Sequence, residues 1–200
     1  MNATDMEKTL SQIAEMATLV YSKESFWAVQ EMILMPPAED KDIQALSKEC
    51  PFPLPPSYIQ FLQLHDGCLN FWPGFALLGT KGEPKAIVSA EVADAREFLR
   101  QFVADASGNI TAESVARFEA PTDVIQQFFL PLHIIFGTNQ GGEFFIFNEK
   151  KQTAEGEYEA IHYEYSGGAY ARYPDFPSFL AATVEELEKR IKEKRYAKKK

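Results

Sequence analysis

Cysteine is almost absent: Cys50 and Cys68 are the only two in 200 residues. So few thiols exclude a disulfide-stapled scaffold, and their separation lacks the close spacing of a zinc or redox motif. Long apolar runs are missing too. None reaches the roughly 18 to 20 residues that span a bilayer. The opening MNATDMEKTL has neither the basic region nor the apolar core of a signal peptide. These absences lead us to expect a soluble cytoplasmic protein with no membrane partner. The glycine-rich GTNQGG at 137–142 lacks the Lys-Ser/Thr that closes a phosphate loop and joins two apparent strands rather than a strand and a helix. There is no internal repeat, and bias is confined to a basic C-terminal end.

Apolar and aromatic residues are plentiful. At 46% hydrophobic and 13% aromatic, the chain can bury a sizeable core, and its length favours one domain. We expect a single domain over 1–188, with a helical layer over 1–50 and a core over 51–188. The remaining 189–200 would be a basic helix end or tail. The net charge of −9 is unevenly placed: 189–200 holds eight Lys or Arg and one acid, which leaves 12 basic and 28 acidic residues in 1–188, a net −16. A body that acidic repels nucleic acid and attracts basic partners, more weakly as salt rises. No direct nucleic-acid binding is therefore expected, and the basic end reads as cations complementing a helix dipole.

Periodicity locates the elements. Thr4 and Glu7 have capping-box spacing, and Met6, Leu10, Ile13, Ala17 and Val20 form a helical stripe. A second helical stretch spans Ser25 to Leu34 before Pro36-Pro37, and a third runs from Asp40 to Lys48. In LPPSYIQFLQLHDG, prolines suit the first turn, Tyr58, Phe61, Leu62 and His65 share a face, and Gly67 is positioned to stop the helix. An aromatic segment around Phe71, Trp72 and Phe75 follows, with FALLG of strand length. Ser89 is positioned to cap another helix, and the segment 105–131 reads as an insertion. Leu132 to Phe136 and Glu143 to Phe147 flank a hairpin turn, the second strand being apolar on both faces, and Glu157 to Tyr165 alternates as a further strand. Asp175 caps a closing helix with Leu180, Val184, Leu187 and Ile191 on one side.

Catalytic chemistry finds little footing. His65, His133 and His162 lack motif context, sit among apolar or aromatic neighbours, and read as structural. His65-Asp66-x-Cys68 has the residue types of a relay, but such sites are assembled across a fold and not from sequence neighbours. We expect neither catalysis nor a metal or other cofactor. The tyrosines around Gly167-Gly168, namely Tyr163, Tyr165, Tyr170 and Tyr173, read either as a recognition surface or as strand-edge packing.

Leu54, Pro55, Tyr58, Phe61, Leu62 and Gly67, with IIFGTNQGGEFFIFN at 134–148 and DFPSFLAATVEEL at 175–187, resemble the SUKH superfamily (Smi/Knr-like family). Its members include a yeast cell-wall assembly regulator and bacterial toxin-immunity proteins. This chain departs from the family in carrying Ser57 where an acid is frequent, and Glu143 and Asn148 where Asp is. The resemblance implies an α+β fold: a mostly antiparallel β-sheet packed against helices, with extra N-terminal helices. It further implies a non-enzymatic protein-binding domain, in first place an immunity protein, whose acidic body fits a basic, nuclease-type toxin, with a regulatory or scaffold protein of the cell-wall type as the alternative. Judged by residue type and expected exposure, the partner-binding candidates are Trp72, Asn139, Gln140, Glu143, Glu159, Glu164, Tyr165, Tyr170 and Asp175.

Overall fold

Helix α1, Ala3–Val20, forms because its five apolar stripe residues fall on one face, and those same five are its buried residues. Its cap lies earlier than the Thr4–Glu7 spacing suggests. Asn2 Oδ1 accepts from Asp5 N at 2.9 Å, so Asn2 satisfies the free N–H group and Thr4 lies inside the helix. The computed structural model describes residues 1–20, 31–50, 52–72, 74–81, 133–139, 143–164 and 168–197. The helices expected from Ser25 and from Ser89, and the insertion at 105–131, lie wholly or largely outside them.

The end of the expected second helix is instead strand β1, Ile33–Leu34, paired with Leu69 and Cys68. The prolines just after it favour extended backbone in what precedes them. Helix α2, Asp40–Glu49, and helix α3, Pro56–Leu64, follow. α3 ends before Gly67, because His65 is already extended. Gly67 has another task. At φ +97°, a side chain there would meet Gly79 N and Leu77 O at 3.0 Å, so glycine lets two backbone segments touch.

Strands β2 (Cys68–Trp72), β3 (Phe75–Leu77), β4 (Ile134–Thr138), β5 (Glu143–Gln152), β6 (Tyr158–Glu164) and β7 (Gly168–Tyr173) complete an antiparallel sheet in the order β1-β2-β3-β4-β5-β6-β7. The tyrosine-rich stretch after Gly167 is therefore a strand, paired with β6. Helix α4, Phe176–Ala197, closes the chain and absorbs most of the basic run. Its cap is the expected one: Asp175 Oδ1 accepts from Ser178 N at 2.7 Å. Lys194 donates to the carbonyl of Val20, tying the end of α4 to the last turn of α1. No helix among the described residues is long and apolar enough to cross a membrane.

The core lies between this sheet and helices α1, α3 and α4. Phe136, Phe145 and Phe147 present rings to Tyr58 of α3 and to Phe176 and Phe179 of α4, with Phe136–Phe147 centroids 4.2 Å apart and Phe145–Phe179 4.8 Å, and Phe61 packs on Tyr58 and Phe176. Each such pair is worth about 0.5–1.5 kcal/mol beyond its burial. The alternate residues Phe144, Ile146, Ile161 and Tyr163 are buried as well, so the central strands are covered on both faces. Tyr58 also donates from its hydroxyl to Leu78 O at 2.5 Å, fixing α3 to the residue after β3.

Candidate functional site

A groove opens where β2, β5, β6 and β7 meet the stretch of α4 from Phe179 to Arg190, enclosing about 560 Å³, within the size range of small binding clefts. Its floor is Phe71, Phe145 and Phe179; its walls include Trp72, His162, Tyr170 and Tyr173. Strand alternation explains the placement. Phe145 and His162 are cross-strand partners, so the histidine lies on the face that α4 covers, its ring 5.0 Å from Phe145 and 5.4 Å from Phe75. Tyr170, 76% exposed, packs edge-on against His162 at 5.3 Å.

Two carboxylates, Glu143 and Glu186, line the groove together with two cations, Lys189 and Arg190. Glu143 Oε2 is 2.8 Å from His162 Nε2, while its Oε1 accepts from Asn139 Nδ2 at 3.0 Å and its backbone N–H donates to Asn139 Oδ1 at 3.1 Å. Glu186 accepts from Arg190 Nε at 2.8 Å, one turn along α4. The Arg190 guanidinium carbon sits 4.9 Å from the centroid of the Trp72 ring, a cation–π contact. Tyr173 stands against Phe179, and burial, then Glu186 and Tyr170, push its phenol pKa above the ordinary value.

The expected contact residues distribute unevenly. Trp72, Glu143 and Tyr170 line the groove, and Asn139 holds Glu143. Asp175 is committed to the cap of α4. Glu159 requires a correction. It is 8% exposed, with Oε2 accepting from Asn148 Nδ2 at 2.8 Å and Arg172 at 2.9 Å, and Oε1 from Lys151 at 3.3 Å. Its register opposite Asn148 turns it into a neutralised brace between β5, β6 and β7 rather than an exposed charge. Gln140 and Tyr165 lie outside the described residues, and Glu164 is described only by its backbone pairing with Glu143 and Gly168. His162, Glu186 and Arg190 were not among the candidates. The i,i+4 spacing of Glu186 and Arg190 was the one local signal for them.

The residues that might have formed a thiol relay are each engaged elsewhere. His65 Nδ1 is 3.1 Å from Met35 O, and Asp66 accepts from Thr80 N and, at 2.9 Å, from Thr80 Oγ1. Cys68 Sγ faces Leu69 O, and burial pushes its pKa up to about 12. Burial, with Glu49 nearby, does the same to Cys50, also to about 12. A thiol so shifted offers almost no nucleophilic thiolate at neutral pH. His133 pairs with Glu149 at 2.8 Å. No group of three or more His, Cys, Asp or Glu among the described residues is arranged to hold a metal ion.

The N-terminus of α3 has a carboxylate, supplied from a distance. Glu157 Oε1 accepts from Ser57 N at 2.8 Å and Oε2 from Ser57 Oγ at 2.6 Å. The first turn of α3 carries no acid of its own, and the turn between β5 and β6 delivers one.

A sequence profile of the SMI1 / KNR4 family (SUKH-1) matches residues 37–182. The chain belongs to this family. Among curated proteins no match is found. The SUKH-1 match begins just before α2 and ends within α4, so it takes in all of the sheet except β1. The SUKH family includes toxin-immunity proteins and SMI1/KNR4-type regulators, and its members bind protein partners. In this SUKH-1 protein the groove draws on strands inside the matched span and on Thr183, Glu186, Lys189 and Arg190 of α4, which lie beyond it.

Proposed function

We propose that this SUKH-1 protein is a non-enzymatic binding protein of the immunity type, which neutralises a basic, nuclease-type toxin by occupying it. The observation that carries this reading is an open groove walled by Trp72 and Tyr170 on an acidic body. Large aromatic side chains combine apolar area with a polar tip and dominate binding energy at interfaces. A net −16 over 1–188 would speed encounter with a basic partner and favour it over acidic ones. Within the contact set we keep Trp72, Asn139, Gln140, Glu143, Glu164, Tyr165 and Tyr170, and leave out the braced Glu159 and the capping Asp175. The inert thiols and scattered histidines support a binding role over catalysis.

The test is affinity capture of the tagged protein from its native lysate at low and at high salt, with mass spectrometry, repeated with Trp72→Ala and Tyr170→Ala. A single basic toxin-like partner, lost at high salt and lost with either variant, is the expected result. Wall-synthesis or signalling proteins in its place would overturn the immunity reading in favour of the regulator. A partner retained by both variants would remove the groove from the interface.

A further inference from the structure

The groove already holds a guanidinium. Arg190 lies on the face of Trp72 and is neutralised by Glu186, which reproduces within one chain the way proteins take up an arginine: a planar cation on an aromatic face with a carboxylate at its edge. The Glu186–Arg190 pair is 40% and 42% exposed, the kind of surface i,i+4 contact that opens at small cost. A second carboxylate, Glu143, lines the same cavity and is held in place from two sides by His162 and Asn139. Tyr170 adds an exposed aromatic wall.

We infer that this groove is a receptor for an arginine side chain of the protein partner, and that Arg190 is its resident occupant, displaced when the partner's arginine docks. The inference rests on the protein-binding reading and names the side chain that reading leaves open. The incoming guanidinium stacks on Trp72 and takes Glu186 or Glu143 as its counter-ion. Lysine is a poorer guest, because its compact ammonium has no planar face to stack and no fork to match a carboxylate. The acidic body draws the cation in at long range, although Lys189 also lines the groove, and exchange of one guanidinium for another on Glu186 keeps that carboxylate paired.

The probe is N-acetyl-arginine amide, with N-acetyl-citrulline amide as its neutral near-isostere, titrated against the full chain while the Trp72 indole N–H is followed by NMR. Trp72→Phe assigns that resonance. Arginine should shift it saturably and citrulline should not. Removing the occupant with Arg190→Ala should tighten arginine binding about tenfold. Arg190→Gln, which keeps part of the stem, should act in the same direction. Lys192→Ala removes the same charge from a side chain 70% exposed and paired with Glu188, and should change affinity by less than about twofold. The inference is overturned by equal binding of citrulline, by equal effects of the Arg190 and Lys192 variants, or by a Trp72 indole that does not respond. A captured partner with an unresponsive Trp72 would retire the arginine receptor and leave the binding function standing. Arginine binding without any captured partner would do the reverse.

Discussion

Replacing Glu157 by Ala should destabilise the protein by about 2 kcal/mol without touching the groove. α3 begins at Pro56 with Pro55 before it, and no side chain of its own caps it. Glu157 is the remote substitute, accepting from both the backbone N–H and the hydroxyl of Ser57. Its position is set by the β5–β6 turn, where Thr153 N donates to Glu157 O at 2.8 Å and Gly156 adopts φ +86°. Ser57 is 5% exposed, so water cannot readily replace the lost acceptor. Loss of a helix cap costs roughly 0.5–2 kcal/mol, loss of a carboxylate near the positive end of a helix dipole about 0.3–1, and an unsatisfied buried donor about 1–3. These terms overlap, which is why about 2 kcal/mol is expected instead of their sum. For a chain of this length that corresponds to a fall in Tm of about 4–8 °C. Glu157→Gln keeps an acceptor but loses the charge, and should cost about half as much. Urea unfolding followed by circular dichroism supplies the free energies, and a double-mutant cycle with Ser57→Ala should give a coupling of about 1 kcal/mol, since only the hydroxyl bond is shared by both changes. A Glu157→Ala protein within about 0.5 kcal/mol of the parent, or strict additivity with Ser57→Ala, would refute the remote cap.

Three further outcomes follow from the same geometry. Tyr58→Phe removes the hydroxyl that reaches Leu78 O and leaves a buried carbonyl unpaired, which should cost about 1–3 kcal/mol in the same unfolding assay while the ring packing persists. Glu159→Ala strips the shared acceptor from Asn148, Lys151 and Arg172 and should cost about 2–3 kcal/mol; a loss below about 0.5 would mean that solvent does the bracing. Cys68 should resist iodoacetamide at pH 8 in the native protein and react once urea unfolds it. Because its folded pKa, about 12, lies above the ordinary thiol value of 9.0, its contribution is fully present below pH 9 and is lost as pH rises towards 12, so unfolding midpoints should fall on the alkaline side. A midpoint unchanged across that range in a comparison with Cys68→Ala would contradict it.

Much of the fold was legible because it is written in local spacing. The five stripe residues of α1 and the Asp175 cap of α4 depend on neighbours three or four positions away, which the sequence displays directly. β1 and β7 were missed for the opposite reason. β1 is two residues long and exists through its pairing with Leu69 and Cys68, while β7 begins at a glycine and is rich in tyrosine, the composition of a recognition loop as much as of a strand. The site divides the same way. Trp72, Tyr170 and Glu143 stand out by residue type, whereas Arg190 reaches Trp72 only after α4 has folded across the sheet. Glu159 looks exposed from sequence because exposure depends on cross-strand register, and opposite Asn148 an apparently free acid becomes an internal one.

The neighbour-only strand order has a consequence for how the chain folds and how its length can vary. β4 to β7 form an uninterrupted run of adjacent pairings, which need only short loops to close, and such a meander should nucleate early. The β3–β4 pairing is different, since β3 ends at Leu77 and β4 begins at Ile134. Closing that seam joins the two neighbouring strands farthest apart in sequence, the largest loop-closure step in assembling the sheet, yet that cost rises by only about 0.6 kcal/mol for each doubling of the separation. The seam is thus slow to form and tolerant of length, a point in the architecture where evolution can lengthen or trim the chain while the seven-stranded order stays intact.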